Sequence, residues 1–185
     1  MAVRDTARRK LTYEDYAFFP EDGTRHEILA GEHYVTPSPS NQHQGCSLNL
    51  ALRIGAFVRE RRLGTVRYAP FDVLLSPHDV VQPDLLFLSS ERAGLLTEAN
   101  VQGAPDLVIE ILSDSTRRRD ETLKREIYER AGVLEYWLVD PQRRTVRVYR
   151  RAEAGFLAPE DFSVRNVLST PLLPGLEIRV REIFE

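Results

Sequence analysis

Two apolar runs dominate the hydropathy pattern: Leu107-Val108-Ile109-Glu110-Ile111-Leu112 after Asp106, and Leu134 to Val139. Near-continuous runs of this length are expected of strands covered on both faces. Between them, Ser115 or Thr116 can start a helix that reaches about Arg130 and stops at Gly132. Such a strand–helix–strand unit closes as a right-handed crossover, so the two strands are predicted to be parallel. Upstream, Arg25–Leu29 and Glu32–Val35 flank the turn Ala30-Gly31 and read as a hairpin. Thr12 can cap a short helix that ends by Pro20. Ser40 or Asn41 can cap a long helix to about Arg62, with Leu48, Ala51, Leu52, Phe57 and Val58 as its apolar stripe, ended by Gly64. Strands are predicted at Val66–Tyr68, Phe71–Leu75 and Asp84–Leu88, set apart by Pro70, the turn Ser76–Asp79 and Pro83. Residues 89–104 read as a loop with one helical turn. Thr145–Tyr149 reads as a strand, with short strands near Val164–Leu168 and Leu176–Val180. The expected fold class is α/β (α+β), a mixed central sheet flanked by helices. The expected organisation is a flexible tail over residues 1–10 and a single domain over residues 11–185.

Composition narrows the class. At 185 residues, 42% hydrophobic and 29% charged, the chain can build a core without staples. Its single cysteine, Cys46, excludes an internal disulfide and a cysteine-based zinc site, and fits a reducing cytoplasm. Cys46 itself is expected to be buried and inert. No apolar run approaches the roughly 20 residues of a membrane span, and MAVRDTARRK lacks the apolar stretch of a signal peptide. The net charge of −3 argues against bulk coating of nucleic acid and leaves a local basic patch possible. Candidates are Arg53, Arg59, Arg61, Arg62 and Arg67, and the run Arg117-Arg118-Arg119. That run stands at a predicted helix start, where dipole and charge both favour phosphate; a solvated charged face is the alternative.

The 25 cationic residues comprise 23 arginines and two lysines, Lys10 and Lys124. Arginine keeps its proton in proteins, whereas lysine shifts its pKa readily. Lys124 is therefore where chemistry is sought, a solvated helix face being the plain alternative. Glu110 stands inside an apolar strand, where an ionised carboxylate is costly unless paired or metal-bound; a strand end facing solvent or an arginine is the other reading. Asp106 lies four residues away on the same strand, about 13 Å distant, too far to share a cation, and is expected to be a turn or edge residue. Asp84 begins a different strand. If that strand neighbours the 106–112 strand at about 4.8 Å, Asp84 and Glu110 converge as a metal pair. Asp120, Lys124 and Tyr128 share one helix face, which can turn the amine toward the carboxylates. A surface Asp120–Lys124 ion pair is the alternative. An aspartate, a glutamate and a lysine round a divalent cation form a kit for phosphodiester hydrolysis.

The sequence resembles the Uma-two family of restriction-endonuclease type, within the PD-(D/E)xK nuclease superfamily. The matching pieces are Arg25-His26-Glu27-Ile28, Gly31-Glu32, Pro37-Ser38-Pro39-Ser40 with His43, Val81-Gln82-Pro83-Asp84, Ala104 to Ser113, Ser115-Thr116, Asp120 to Lys124, Tyr128, and Gly132 to Asp140. The resemblance implies Asp84 and Glu110 as ligands of Mg²⁺ (or Mn²⁺), Lys124 as catalytic lysine, and Glu27 as a further acidic residue of the catalytic set, a carboxylate merely on a hairpin face being the alternative. It leaves the substrate open. Leu112 stands where the superfamily's lysine normally follows the acid, and Lys124 on the helix replaces it. His43 is expected to be a capping or surface residue, and Tyr136 and Trp137 to be core. The leading expectation is a Mg²⁺-dependent DNA endonuclease, a homodimer if both strands are cut. The alternatives are a non-catalytic binding protein on the same fold, and a phosphohydrolase of RNA or a small phosphoester.

Overall fold

Punctuating residues start and stop the elements where their chemistry requires. A computed structural model describes residues 9–20 and 22–185. Residues 1–8 of the expected tail lie outside the described residues; Arg9 pairs with Asp15 at 2.8 Å and Lys10 lies over Gly31. Helix α1 (Tyr13–Tyr16) starts at Thr12 with a capping box closed by Asp15. Strands β1 (Arg25–Leu29) and β2 (Glu32–Thr36) form the expected hairpin. Gly31 turns it with φ +86°, and a Cβ there would meet Lys10 at 2.5 Å. Helix α2 (Asn41–Arg61) is capped by Ser40, whose side chain accepts from the His43 N–H.

Strands β3 (Gly64–Tyr68), β4 (Asp72–Ser76), β5 (Asp79–Val81), β6 (Leu85–Ser89), β7 (Asn100–Gln102) and β8 (Leu107–Ile111) follow. Next comes one helical stretch: α3 (Arg117–Arg119), a π-helical turn Asp120–Lys124, and α4 (Arg125–Ala131), stopped at Gly132 in the left-handed region. Strands β9 (Glu135–Asp140), β10 (Thr145–Ala152), β11 (Gly155–Phe156), β12 (Glu160–Ser163), β13 (Val167–Ser169) and β14 (Glu177–Arg179) complete the elements.

The large sheet runs β11-β10-β9-β8-β6-β3, with β12 also on β10, and the small one runs β2-β1-β5-β4-β7. Strands β8 and β9 are parallel, as predicted, and β6 is antiparallel to β8. The fold class expected from the sequence, α+β with a mixed central sheet and flanking helices, is the one observed.

Strand alternation divides the core into two layers. Leu85, Phe87, Leu107, Ile109, Ile111, Trp137 and Val139 face α2 and the C-terminal segment. Leu86, Leu88, Val108, Leu112, Tyr136 and Leu138 face α4 and the small sheet. Glu110 falls on the second face by the same alternation, and Asp84 stands just before the start of β6.

Expectations for four of the elements are corrected. The buried stripe of α2 is His43, Cys46, Leu50, Ile54 and Val58, while Leu48 and Leu52 are exposed. The helix is amphipathic, but its mixed outer face carries enough leucine to mislead. Strands β5 and β7 lie where a turn and a loop were expected, because three-residue strands are too short to show alternation. Strand β12 precedes the predicted position and is polar; its register is set by pairing with β10, including the bidentate Arg147–Asp161 contact.

Asp106, expected at a turn or edge, is a buried clamp. Its carboxylate accepts from the Ser89 N–H at 2.6 Å and meets Arg92 at 3.2 Å, while its carbonyl accepts from Leu134 and Glu135. It therefore ties β6, β8 and β9 in register. Asp106→Ala orphans a donor and is expected to lower unfolding free energy by about 1–3 kcal/mol, measured as a shift of the urea midpoint.

Candidate active site

The chain crosses from the small sheet to the large one through Gln82 and Pro83, between β5 and β6. Proline has no N–H for a ladder, so the crossing falls there. This crossing delivers Asp84 to the start of β6. The register Leu85↔Ile109, continued by one residue, sets Asp84 beside Glu110 on β8. The Asp84 carboxylate accepts from the Ile111 N–H at 2.8 Å, which pins the two strands at this point.

Glu27 comes from β1 of the small sheet and Lys124 from the last residue of the π-helical turn. The Lys124 Nζ lies 2.8 Å from Glu27 Oε1, 2.9 Å from Glu110 Oε1 and 3.8 Å from Asp120 Oδ1. Tyr128, one turn on, donates to the same Glu110 oxygen at 2.7 Å. All four charged groups are buried. The solvated-face alternative for Lys124 and the surface-ion-pair alternative for Asp120–Lys124 are thereby excluded. A π turn widens the helix locally, and this one carries both Asp120 and Lys124 inward. The structure thus brings Asp84, Glu110, Lys124 and Glu27 to one cavity of about 240 Å³, lined also by Arg25, His43, Arg119 and Asp120.

The run Arg117-Arg118-Arg119 divides. Arg117 is bound to Asp140 at 2.6 and 3.1 Å, and Arg118 is exposed. Arg119 lines the cavity, donating to Thr36 Oγ1 at 2.8 Å and lying over the Tyr34 ring. Arg25 and His43 are site residues beyond those assigned from the sequence. Arg25 donates to Asp84 Oδ1 at 2.7 Å, and His43 Nε2 lies 3.0 Å from Asp84 Oδ2. His43 is buried, not the surface or capping side chain expected. The signal for it was the 3-4-4-4 spacing that continues from His43 through Cys46, Leu50, Ile54 and Val58. Cys46 is buried as expected, and burial pushes its thiol up to about 11.

The electrostatics separate the two central carboxylates. Burial alone would raise Asp84, but the hydrogen bond and charge of His43, then Arg25, outweigh it and hold the carboxyl below its usual range. Burial pushes Glu110 up, to about 8; Lys124 opposes this, and Asp120, Asp84 and Glu27 add to it. Burial also raises Asp120, to about 6, against Lys124 and Thr116. Burial works against the Lys124 charge, yet Glu110, Glu27 and Asp120 together hold its pKa above the ordinary value. Lys124 is therefore a cation at neutral pH.

Among the described residues, no three His, Cys, Asp or Glu side chains close on one point as a ready-made metal cage. Lys124 keeps Glu27, Glu110 and Asp120 as one group, and Asp84 with His43 forms another. The donor chemistry nevertheless fits a divalent cation: carboxylates predominate, and buried oxygens of Glu27 (Oε2) and Asp120 (Oδ1) have no hydrogen-bond partner. The other unpartnered buried side-chain atoms among the described residues are His43 Nδ1, Gln82 Oε1 and Arg119 Nε. All five belong to residues that line this one cavity.

Fold and site together define a restriction-endonuclease-like α+β protein with a buried acidic cluster closed by one lysine. The model of the Uma2 family, described as "Putative restriction endonuclease", matches residues 12–181, and the chain belongs to that family. A crystal structure of a "putative nuclease belonging to DUF820" from Anabaena variabilis has the same fold. Its TM-score is 0.80 at 22% identity, over 94% of this chain and 97% of that one. No curated protein matches the chain. Among the described residues, no helix is long and apolar enough to cross a membrane.

Proposed function

We propose that this protein is a divalent-cation-dependent endonuclease that hydrolyses DNA phosphodiester bonds in the cytoplasm. The observation that carries the reading is the gathering of all five unpartnered buried polar atoms, among the described residues, around the Asp84–Glu110–Lys124 cavity. Buried polar groups are almost always satisfied within a protein, so a cavity that concentrates the exceptions is prepared for a polar, charged ligand.

Asp84 and Glu110 are the residues that would hold the cation, Mg²⁺ or Mn²⁺. When bound, it supplies Lewis-acid stabilisation of phosphoryl charge and a water of lowered pKa. Lys124, kept protonated by three carboxylates, neutralises charge that develops on the phosphoryl group and fixes Glu27 and Glu110 in place. Its protonated state argues against a general-base role. Glu27, held by the Gln82 N–H at 2.9 Å through Oε1, has its Oε2 3.8 Å from an Arg119 nitrogen and without a hydrogen bond, left for a water or a proton in the cavity. Arg119 offers a half-buried guanidinium at the cavity wall. Arg118 offers an exposed one outside it, and Arg117 holds the helix start to Asp140 between them.

A homodimer matches the two strands of a duplex. Strand β3 pairs only with β6 among the described residues, and its Tyr68 end adjoins Asp84 through the Ala69 N–H. A second copy docked on that edge, beside exposed Leu48 and Leu52, would bring two cavities near each other.

Purified protein is to be incubated with supercoiled plasmid, with RNA and with a generic phosphodiester, each with and without Mg²⁺ or Mn²⁺. Nicking and linearisation of plasmid only with the cation, absent in Asp84→Asn, is the expected result, with sedimentation equilibrium reporting a dimer. Hydrolysis confined to RNA or to the small ester moves the substrate class, and cation-independent hydrolysis overturns the reading.

A further inference from the structure

We propose that His43 is a direct ligand of the divalent cation and that its imidazole biases the site toward Mn²⁺ over Mg²⁺. The inference rests on the reading of Asp84 and Glu110 as the cation pair, and it adds to that pair a nitrogen donor.

His43 continues the buried stripe of α2, so its ring direction is set by a 21-residue helix packed along one face of the large sheet. The Ser40 side chain holds the His43 N–H at 3.3 Å, which fixes the first turn of that helix where the ring departs. His43 is 7% exposed and lines the cavity. Its Nε2 lies 3.0 Å from Asp84 Oδ2. Two donors in adjacent positions on one octahedral cation, each at about 2.1 Å, stand about 3.0 Å apart. The pair therefore has the spacing of two ligands of one ion without moving either backbone.

The other partners of Asp84 leave room for this role. Arg25 takes Oδ1, and the Ile111 N–H takes one lone pair of Oδ2. One lone pair of Oδ2 remains, on the side of His43. The second ring nitrogen, Nδ1, is buried with no partner. A neutral imidazole that gives Nε2 to a cation leaves Nδ1 as a donor for a water or a phosphate oxygen within the cavity.

The chemical consequence follows from donor type. All-oxygen sites with several waters suit Mg²⁺, whereas imidazole raises affinity for transition ions along the order in which Mn²⁺ comes first. A site of two carboxylates and one imidazole thus accepts both ions and prefers Mn²⁺.

The test uses the full chain and the metals alone. Mn²⁺ binding is read by electron paramagnetic resonance and Mg²⁺ binding by calorimetry, in wild type, His43→Asn and Asp84→Asn. Electron spin-echo spectroscopy of the Mn²⁺-loaded wild type reports directly whether an imidazole nitrogen is coupled to the ion, and needs no variant to fold. The expected results are an imidazole coupling in wild type and its loss in His43→Asn. Mn²⁺ affinity should fall about tenfold or more in that variant, with Mg²⁺ affinity changing by less than about threefold. Mn²⁺ binding that Asp84→Asn abolishes, but that shows no imidazole coupling in wild type, overturns the role of His43 and leaves the carboxylate pair standing. Wild type that binds neither ion, or Asp84→Asn that binds both as wild type does, overturns the carboxylate pair and the inference with it.

Discussion

Lys124→Met is expected to lower the unfolding free energy at pH 7 by about 3–5 kcal/mol, the range for removing one partner from a buried ion pair. Methionine matches the length of the lysine stem, so the loss is one of charge and not of volume. Glu27, Glu110 and Asp120 would then face each other without the amine that lies 2.8, 2.9 and 3.8 Å from them. The penalty depends on pH. Burial already raises Glu110 to about 8 and Asp120 to about 6, and loss of Lys124 raises both further. As pH falls, Glu110 and then Asp120 take up protons and the gap between variant and wild type narrows. The contribution of Lys124 has the opposite alkaline limit. Its folded pKa is raised above the unfolded 10.5, so its stabilisation is complete below that value and is lost only as pH rises through the folded pKa. Urea denaturation at pH 5, 7 and 9 checks these signs. Plasmid cleavage by Lys124→Met should fall about 10²–10³-fold, as for loss of a preorganised donor to developing charge. Lys124→Arg keeps the charge but puts a planar fork where two carboxylates converge on a compact amine. It is expected to cost about 1–3 kcal/mol as an overpacked site and to lose cleavage nearly as fully. Full activity in Lys124→Arg would reduce Lys124 to a charge alone.

Asp84→Asn and Glu110→Gln are expected to abolish cation-dependent cleavage alike, by about 10³-fold or more if Lewis-acid stabilisation is worth several kcal/mol. Their effects on the metal-free protein should have opposite signs. Asp84 is held below its usual pKa against burial by His43 and Arg25. A depressed carboxyl contributes stability above its unfolded pKa of 3.8 that is lost as pH falls through the folded value. Asp84→Asn therefore destabilises at pH 7 and orphans part of Arg25 and His43. Glu110 is raised from 4.5 to about 8. The folded state then binds the extra proton between those values, and stability falls as pH rises across that window. Glu110→Gln removes this fall. It is expected to match wild type near pH 4.5 and to melt higher at pH 8, with Gln still able to accept from Tyr128. Differential scanning calorimetry across pH 4.5–8 separates the two signs, and a lower melting temperature for Glu110→Gln at pH 8 would show Glu110 to be ionised and stabilising.

What the sequence determined by itself was mostly local. The apolar runs around Leu107–Ile111 and Glu135–Asp140, the caps at Thr12 and Ser40 and the stops at Gly31 and Gly132 identify the main strands and helices, because each rests on residues within a few positions of one another. Glu110 was legible as a charge in an apolar strand, and Lys124 as one of only two lysines. The resemblance added Glu27 and the family. Tertiary structure alone decided the rest. The three-residue strands β5 and β7 exist because neighbours pair with them, not because their own pattern demands it. Leu48 and Leu52 were indistinguishable from core leucines until α2 chose its buried face. His43 and Arg25 became site residues because they meet Asp84 across 41 and 59 positions of chain, respectively. The physical reason is that a side chain's periodicity is written in its own segment, whereas its partner, its burial and its pKa are written in whatever segment packs against it.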